Sequence, residues 1–349
     1  MSEAIDRTQF ASDNTSTAAP EVLAAVQTAN QGFAGSYGGD ATTRAAADRF
    51  RSCLETDVPV YFCFNGSVAN SLVLAQVCQP FDAVLCHPLG HVDTDECAAP
   101  EFFTGGAKLL TVDGPDGKID PARIEPVLAR GHGIHSSRPR VLSLTQSTEV
   151  GTVYSVDEIK ALCAAAHEAG LLVHMDGARF ANALAHLGCS PADLTWRAGV
   201  DLLTVGGTKN GGFLNEAVVF FDVRLAEGFE YRRKQGGQLA SKMRFLSAGW
   251  LGLLENDVWL RNARQANRAA QRLAAGLSGI DSLELAFPVE ANAVFVRMPA
   301  ATAAALHHRG WHVYPFTDVN AWRFMCSWCT DDAAVDALLA DAREIGKVK

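Results

Sequence analysis

Lys209 is the residue of this sequence with the clearest potential for chemistry. It lies among glycines in the segment TVGGTKNGG, residues 204–212, directly after an apolar run. The segment is not a Walker phosphate loop, because that motif needs Ser or Thr after the lysine and glycines at other spacings. A lysine in a partly dry site can lose its charge and become a nucleophilic amine that forms Schiff bases. We expect the neighbouring glycines to let the backbone approach a bound ring, although a surface loop lysine is the alternative.

A carboxylate and a turn before a helix offer two further kinds of chemistry. Asp176 ends the apolar run LLVHMD, and a carboxylate at the tip of a buried strand needs a partner. It either anchors an ion pair or holds the protonated ring nitrogen of a pyridine cofactor. The segment NGSVAN, residues 65–70, follows another apolar run and leads into a helix that starts near Val68. Its free N–H groups and helix dipole suit a phosphate, although an ordinary strand-to-helix turn has the same pattern.

Two histidines in the segment CHPLGHVDTDE raise the possibility of a metal site. His87 and His91 are four residues apart, with acidic residues close by. Pro88 and Gly90 argue against a helix here, so the two rings need not share a face. We therefore expect no metal, and a histidine at a strand tip could instead stack on an aromatic cofactor.

The elements that must position these residues are strands and helices in alternation. Most of the predicted strands lack strict polar alternation, so we expect them to be buried on both faces. Ser155 and Glu158 form a capping box at the start of a predicted helix that Gly170 ends. This pattern predicts an α/β fold with a largely parallel sheet, in which ligands bind outside the carboxyl ends of the strands. The predicted strands are residues 59–64, 83–86, 107–112, 140–145, 171–176, 201–206 and 217–221.

The pattern changes after about residue 245. Residues 251–279 are predicted to form one long helix, and a closing helix is predicted over 331–345. Between these helices, short strands are predicted at 293–297, 312–314 and 322–328. We therefore divide the chain into an N-terminal segment (1–30), a large domain (31–248) and a small α+β domain (249–349).

Composition excludes several classes of protein. The 349 residues carry a net charge of −9, from 30 basic and 39 acidic residues, which argues against a nucleic-acid partner. Nine cysteines scattered through apolar runs are typical of reduced thiols in a cytoplasmic protein. The charged N-terminus does not resemble a signal peptide, and no apolar run approaches the roughly 18 residues of a membrane span.

The phosphate cradle at residues 65–70, the acid Asp176 and the amine Lys209 come in the order expected of pyridoxal phosphate (PLP) enzymes. Such enzymes hold this cofactor through a lysine Schiff base and pair its pyridinium nitrogen with an aspartate. The three signals follow strands of one predicted sheet, so they support one another.

With these residues, the chain resembles the aspartate-aminotransferase-like PLP enzymes of fold type I. Within them it is similar to the low-specificity L-threonine aldolase family, also described as the β-eliminating lyase group. The resemblance covers nearly the whole chain, and it implies a mostly parallel seven-stranded sheet flanked by helices in the large domain and a small C-terminal α+β domain. DGAR and GGTKNG at their separation are its most specific element. The segments that carry it are FASDNTSTAAPEVL, SYGGDATTR, FNGSVAN, CHPLGHVDTDE, AAPEFFTGGAKL, TQSTEVGTVYS, HMDGARFANAL, GGTKNGG, RKQGGQLASKMRF, NAVFVR and WRFMCSW.

The resemblance implies a role for each residue that matches a family motif. Lys209 would carry PLP, Asp176 would pair with its ring nitrogen, and His91 would stack over the ring. The phosphate would be bound by Gly66, Ser67 and Val68. The substrate carboxylate would be held by Ser12, Arg179 and Arg323, and a bidentate arginine clamp suits that group. Arg179 is also expected to contact the cofactor.

The resemblance also implies a shared site. Tyr37 and Arg244 match stretches that reach a neighbouring subunit's site in the family, Tyr37 towards substrate and Arg244 towards cofactor. We therefore expect a homodimer or homotetramer.

The implied reaction is cleavage of the Cα–Cβ bond of a β-hydroxy-α-amino acid, such as L-threonine or L-allo-threonine, to glycine and an aldehyde. The chain departs from some family members by having Thr148 and Glu149 where those have a histidine near the substrate hydroxyl. The general base is therefore open, and His91 is our candidate. Related PLP chemistry (β-elimination, transaldol transfer or phenylserine-type cleavage) and a non-catalytic protein of the same fold are the alternatives.

Overall fold

A seven-stranded sheet forms the centre of the larger part of the molecule. The computed structural model describes residues 7–347. All seven predicted strands of this sheet are confirmed, with ends shifted by no more than two residues. They are β1 (Val60–Cys63), β2 (Asp82–Cys86), β3 (Lys108–Thr111), β4 (Arg138–Thr145), β5 (Leu172–Gly177), β6 (Leu202–Gly206) and β7 (Glu216–Phe220).

The sheet has the order β1-β7-β6-β5-β4-β2-β3. The pairs from β6 through β5, β4 and β2 to β3 are parallel, whereas β7 is antiparallel to both of its neighbours. Every residue of β2, β6 and β7 is buried, because helices cover both faces of the sheet. The expectation of a mostly parallel sheet is therefore confirmed. Most of its strands are largely buried, whereas β3, at one edge, is not.

Helices surround this sheet and a smaller one that follows it. The helix predicted from the capping box is confirmed: the Ser155 hydroxyl accepts from the Glu158 N–H (3.2 Å), and the Glu158 carboxylate accepts from the Ser155 N–H (2.6 Å). The helices of residues 7–347 are α1 (Pro20–Ala29), α2 (Ala41–Leu54), α3 (Gly66–Val77), α4 (His91–Thr94), α5 (Ala99–Thr104), α6 (Ile124–Leu128), α7 (Val156–Glu168), α8 (Phe180–Leu187), α9 (Phe229–Gln235), α10 (Arg244–Leu254), α11 (Val258–Leu277), α12 (Ala300–His308) and α13 (Asp332–Lys347).

The single long helix predicted over 251–279 is wrong. The structure divides this region into α10 and α11, separated by a 3₁₀ turn at Glu255–Asp257. Asn256 and Asp257 have φ values of 52° and 55°, in the left-handed region that these two residue types tolerate better than most. The apolar spacing continues across the turn, which is why periodicity alone does not reveal the break.

A four-stranded antiparallel sheet follows, in the order β10-β11-β9-β8. Two of its strands are shifted from their predicted bounds. The strand predicted at 312–314 is found at 314–316, and the one predicted at 322–328 is found at 321–325. Its strands are β8 (Glu284–Leu285), β9 (Ala293–Arg297), β10 (Tyr314–Phe316) and β11 (Ala321–Met325).

The beginning of the described chain links the two sheets. Arg7 forms a bridge with Trp311, and Phe10 is fully buried in the core of the smaller sheet. The chain then makes a 3₁₀ turn at Asp13–Thr15, beside the turn that carries Lys209. This placement brings the first described residues to the functional site. The domain boundaries at 30 and 248 remain predictions.

Candidate active site

A cavity of about 320 Å³ lies at the carboxyl ends of β4, β5 and β6. This is the edge where an α/β sheet is expected to bind ligands. Of the predicted site residues, the cavity brings together Lys209, Asp176, His91, Arg179 and the pair Gly66 and Ser67. The other lining residues are Asn14, Phe64, Asn65, Asn70, Glu96, Thr145, Glu149, Ala178, Thr204, Gly206, Thr208, Leu214 and Glu216.

Lys209 lies in the 3₁₀ turn Thr208–Asn210 that follows β6. Within residues 7–347 its ammonium makes no hydrogen bond and no ion pair. Burial lowers the pKa of Lys209, and the positive charge of Arg179 lowers it further. Both effects favour the neutral amine, which is the nucleophilic form.

The glycines around Lys209 lie in close contact with the surrounding protein. A Cβ on Gly206 would lie 2.5 Å from the Ala178 carbonyl oxygen, and one on Gly207 would lie 2.9 Å from the Trp250 ring. A Cβ on Gly212 would lie 2.7 Å from the Gly207 oxygen. These three glycines therefore allow the turn to pack closely against the protein itself, and the approach of the backbone to a bound ring stays a prediction.

Asp176 is buried at the end of β5, and two neighbours fix its carboxylate. Oδ2 accepts from the Asn70 side chain (2.8 Å), and Oδ1 accepts from the Ala178 N–H (2.9 Å). Asn70 in turn accepts from the Thr204 hydroxyl (2.7 Å). Each carboxylate oxygen keeps a free lone pair, so Asp176 can still accept from a ligand N–H.

His91 begins α4 and faces the cavity with its ring bonded to a buried acid. Its Nδ1 lies 2.9 Å from Glu96 Oε1, and the same oxygen accepts from Asn70. The hydrogen bond with Glu96 raises the pKa of His91, and burial opposes this only in part. The ring is therefore held in place, and its protonated form is favoured.

The N-terminus of α3 forms one wall of the cavity, but only part of the predicted phosphate cradle reaches it. The Val68 N–H donates to the Asn65 side chain (3.1 Å), and Val68 does not line the cavity. Gly66 and Ser67 do line it, and first-turn N–H groups have no acceptor within their own helix. Of the predicted phosphate cradle, Gly66 and Ser67 therefore line the cavity and Val68 does not, and its binding of a phosphate stays a prediction.

Glu216 faces this wall from the start of β7. The Thr208 hydroxyl donates to its Oε1 (2.6 Å), and a Cβ on Gly66 would lie 3.8 Å from its Oε2. Burial raises the pKa of Glu216 to about 7. A carboxyl that keeps its proton to near neutral pH can donate a hydrogen bond as well as accept one.

The two predicted substrate arginines lie in different environments. Arg179 is bidentate to Asp13, with Nε–Oδ2 at 2.7 Å and Nη2–Oδ1 at 3.0 Å. Arg323 on β11 has no ion pair within residues 7–347, and its buried Nε has no hydrogen-bond partner there. Burial lowers the pKa of Arg323, and the charge of Arg179 lowers it further, so the two cations lie close enough to interact.

Five predicted residues do not line the cavity of their own chain: Val68 and Arg323, described above, and three more. Ser12 caps the turn at Asp13–Thr15, where its hydroxyl accepts from the Asn14 N–H (3.2 Å). Tyr37 is 47% exposed, in a separate depression of the surface. Arg244 donates to the Gly32 carbonyl (3.3 Å) at the start of α10.

The histidine pair does not form a metal site in the described part of the chain. The His87 ring is nearly buried and bonds to the backbone of Leu89 and Gly114. No group of three His, Cys, Asp or Glu residues within 7–347 could hold a metal ion.

Sequence reasoning missed the partners that hold the site residues. Asp13, Asn70, Glu96 and Glu216 all lie in quoted motifs or next to them, but none was assigned a role. The only sequence signal for such residues is a polar side chain at a position that the helix or strand pattern predicts to be buried. Their partners could not be read from the sequence, because they are distant along the chain.

The fold belongs to the aspartate-aminotransferase-like class. An aspartate aminotransferase from Rhodobacter sphaeroides superposes with a TM-score of 0.71 at 19% identity, over 100% of this chain and 93% of that one. A threonine aldolase from Leishmania major superposes with a TM-score of 0.90 at 28% identity, over 97% of this chain and 99% of that one.

The sequence comparisons give the family. The Beta-eliminating lyase family model matches residues 9–301. A low specificity L-threonine aldolase of Pseudomonas sp. is 53% identical over 337 residues, 97% of both chains. One from Pseudomonas aeruginosa is 53% identical over 335 residues, 96% of this chain and 97% of that one. The chain belongs to the β-eliminating lyase family, in its low specificity L-threonine aldolase group.

Proposed function

We propose that this protein is a PLP-dependent aldehyde-lyase that cleaves the Cα–Cβ bond of β-hydroxy-α-amino acids. L-Threonine and L-allo-threonine are the proposed substrates, with glycine and acetaldehyde as products. The observation that carries the proposal is the unpartnered amine of Lys209 in one cavity with the buried carboxylate of Asp176. The names of the 53% identical relatives support the same activity.

The residues of the cavity fit PLP. Lys209 would hold its aldehyde carbon covalently, Asp176 would accept from its ring N–H, and Gly66 and Ser67 would donate to its phosphate. His91 would lie against the ring. When bound, this cofactor supplies an electron sink for the pair of electrons that the broken Cα–Cβ bond leaves on Cα.

Arg323 is proposed as the main partner of the substrate carboxylate. Its guanidinium is partly buried, with a buried Nε that has no hydrogen-bond partner within residues 7–347, so a bound carboxylate would stabilise it. Asp13 already takes two of the five N–H groups of Arg179, one from Nε and one from Nη2, and its carboxylate balances the charge of that residue. Arg179 would therefore contribute less than the resemblance implies, and Arg323 would provide the orienting contact.

We also propose that the active site is shared between subunits of a homodimer or homotetramer. Arg244 and Tyr37 lie outside the cavity of their own chain, and Arg244 bonds to Gly32, the neighbour in sequence of the exposed Phe33. An exposed aromatic residue next to exposed polar ones is typical of an interface. A reducing compartment, the cytoplasm, is proposed because all nine cysteines are free thiols. No helix within residues 7–347 is long and apolar enough to cross a membrane.

The test combines a spectrum with product analysis. The purified protein with added PLP should show visible absorbance of a Schiff base and release acetaldehyde and glycine from L-threonine. Lys209→Ala should lose both properties, whereas Lys160→Ala, on the exposed side of α7, should keep both. If the wild-type protein gained no such absorbance, the cofactor proposal would be wrong. Pyruvate and ammonia in place of glycine and acetaldehyde would indicate β-elimination instead.

A further inference from the structure

Glu149 lies in the loop after β4, and its side chain is held by two hydrogen bonds to the same oxygen. Oε1 accepts from the Thr145 hydroxyl (2.7 Å) and from the His91 N–H (2.8 Å). The loop itself is pinned, because the Gln146 side chain bonds to both backbone groups of Tyr154 (2.8 and 3.1 Å). The carboxyl group therefore has a fixed position on the wall of the cavity.

The second oxygen of this carboxyl group has no partner. Glu149 lines the cavity, and its Oε2 is buried without a hydrogen bond to any residue of 7–347. A buried polar atom without a partner is costly, and in a native site it requires an explanation. A ligand hydroxyl within the cavity would satisfy it.

His91, the other candidate base, is less suited to accept a proton. Its Nδ1 is bonded to Glu96 (2.9 Å), and its Nε2 lies 3.7 Å from Asp95. Both contacts favour the imidazolium form, and the pKa of His91 is raised, mainly by the Glu96 hydrogen bond. An imidazolium has no free lone pair and cannot act as a base.

We propose that Glu149, through Oε2, is the general base that takes the proton of the substrate's β-hydroxyl group. In this step the proton moves to Oε2 and the O–H bonding pair becomes the second bond of the aldehyde carbonyl. The Cα–Cβ pair stays with Cα. Glycine then needs one proton at Cα, so the proton held by Glu149 balances the reaction. The inference rests on the aldolase function proposed above.

The charges around Glu149 suit a base that works near neutral pH. Burial raises the pKa of Glu149, and the nearby carboxylate of Asp176 raises it further. The facing group of opposite charge is the guanidinium of Arg179 ahead of α8, and His91 on α4 contacts Glu149 through its backbone N–H. On β2, the thiol of Cys86 faces the same carboxyl group. A base whose pKa lies closer to the working pH transfers protons more effectively.

The experiment compares two reactions of one PLP-loaded enzyme. Cleavage of L-threonine needs a base for the β-hydroxyl group, whereas exchange of the α-proton of glycine with D₂O does not, because glycine has no hydroxyl. Glu149→Gln keeps the side-chain shape and an oxygen for Thr145 and His91. We expect it to lose about 10²- to 10⁴-fold in kcat for cleavage, the usual contribution of a general base. Glycine exchange, followed by NMR, should fall far less.

Controls separate this inference from the proposed function. Glu149→Asp, which keeps an acid, should recover part of the activity and the rise of kcat/KM with pH that the Gln variant lacks. Glu168→Gln, an exposed residue of α7, should match wild type in both reactions. If Glu149→Gln lost cleavage and exchange equally, Glu149 would be only a positioning residue and the inference would be overturned. The inference would also be overturned if His91→Asn, and not Glu149→Gln, lost cleavage selectively. A wild type that exchanges glycine but cleaves no β-hydroxy amino acid would contradict the proposed function itself.

Discussion

The substitution Glu216→Gln tests how the buried carboxyl group beside the N-terminus of α3 affects folding stability. Glu216 is the first residue of β7, opposite Cys63 of β1, and only 9% of its surface is exposed. Glutamine can still accept from the Thr208 hydroxyl, which donates to Oε1 in the native protein (2.6 Å). The substitution therefore removes the titration and leaves the packing nearly unchanged.

The expected size follows from the pKa of this group. Burial raises it from 4.5 to about 7, although Thr208 and Lys209 oppose that shift. Below the unfolded value both states hold the proton, so titration has no effect on stability. As pH rises towards the folded value, the unfolded chain releases the proton while the folded chain retains it, and stability falls. Between a pH below the unfolded pKa and a pH above the folded pKa, the free energy of unfolding falls by about 3 kcal/mol in total. The glutamine variant does not titrate and therefore avoids this loss.

Urea unfolding of the PLP-free protein provides the assay, at about pH 5 and about pH 8 and at one protein concentration. The variant should gain up to about 3 kcal/mol over wild type at the higher pH and much less at the lower one. Glu168→Gln, an exposed carboxylate, is the matched control and should show no such difference between the two pH values. A Glu216→Gln effect of the same size at both pH values would refute the reasoning, because packing rather than the proton would then explain it.

Three further predictions concern the site and its turn. Arg323→Ala should lower kcat/KM for L-threonine by about 10- to 100-fold, the contribution of a hydrogen bond to a charged group, mostly through KM; steady-state kinetics that match wild type would rule out the carboxylate role. Asp176→Ala should weaken both the visible absorbance of added PLP and the cleavage activity, since the ring nitrogen loses its partner; a PLP titration that overlays that of wild type would exclude this pairing. Gly206→Ala should destabilise the protein by about 1–3 kcal/mol, because the new methyl group would lie 2.5 Å from the Ala178 oxygen. Thermal unfolding checks this, with Gly279→Ala as the control because its nearest atom is 3.6 Å away. Equal unfolding midpoints for the two variants would contradict the prediction.

Local patterns were sufficient for most of the fold. The seven strands of the large sheet and the capped helix α7 follow from apolar runs, from Ser155 with Glu158, and from Gly170. The break between α10 and α11 did not follow, because Asn256 and Asp257 adopt left-handed backbone angles that their residue types permit but do not require. Two strands of the small sheet were shifted because ladder pairing, rather than composition, sets their ends.

The sequence by itself determined which residues carry distinctive chemistry: Lys209 after one strand, Asp176 at the tip of another, and the start of a helix at Gly66. Each of these signals is local, since it depends on a residue type and on the strand or helix that it follows.

Only the tertiary structure decided what surrounds those residues. Asp13 forms an ion pair with Arg179, which lies 166 positions later in the chain. Glu149 accepts from the backbone N–H of His91, 58 positions earlier, and its other oxygen has no partner within residues 7–347. Glu216 reaches the cavity beside the N-terminus of α3 only because β7 pairs antiparallel with β1. Partners and burial set the protonation and the availability of each group, and both arise from contacts between segments that are distant in the chain.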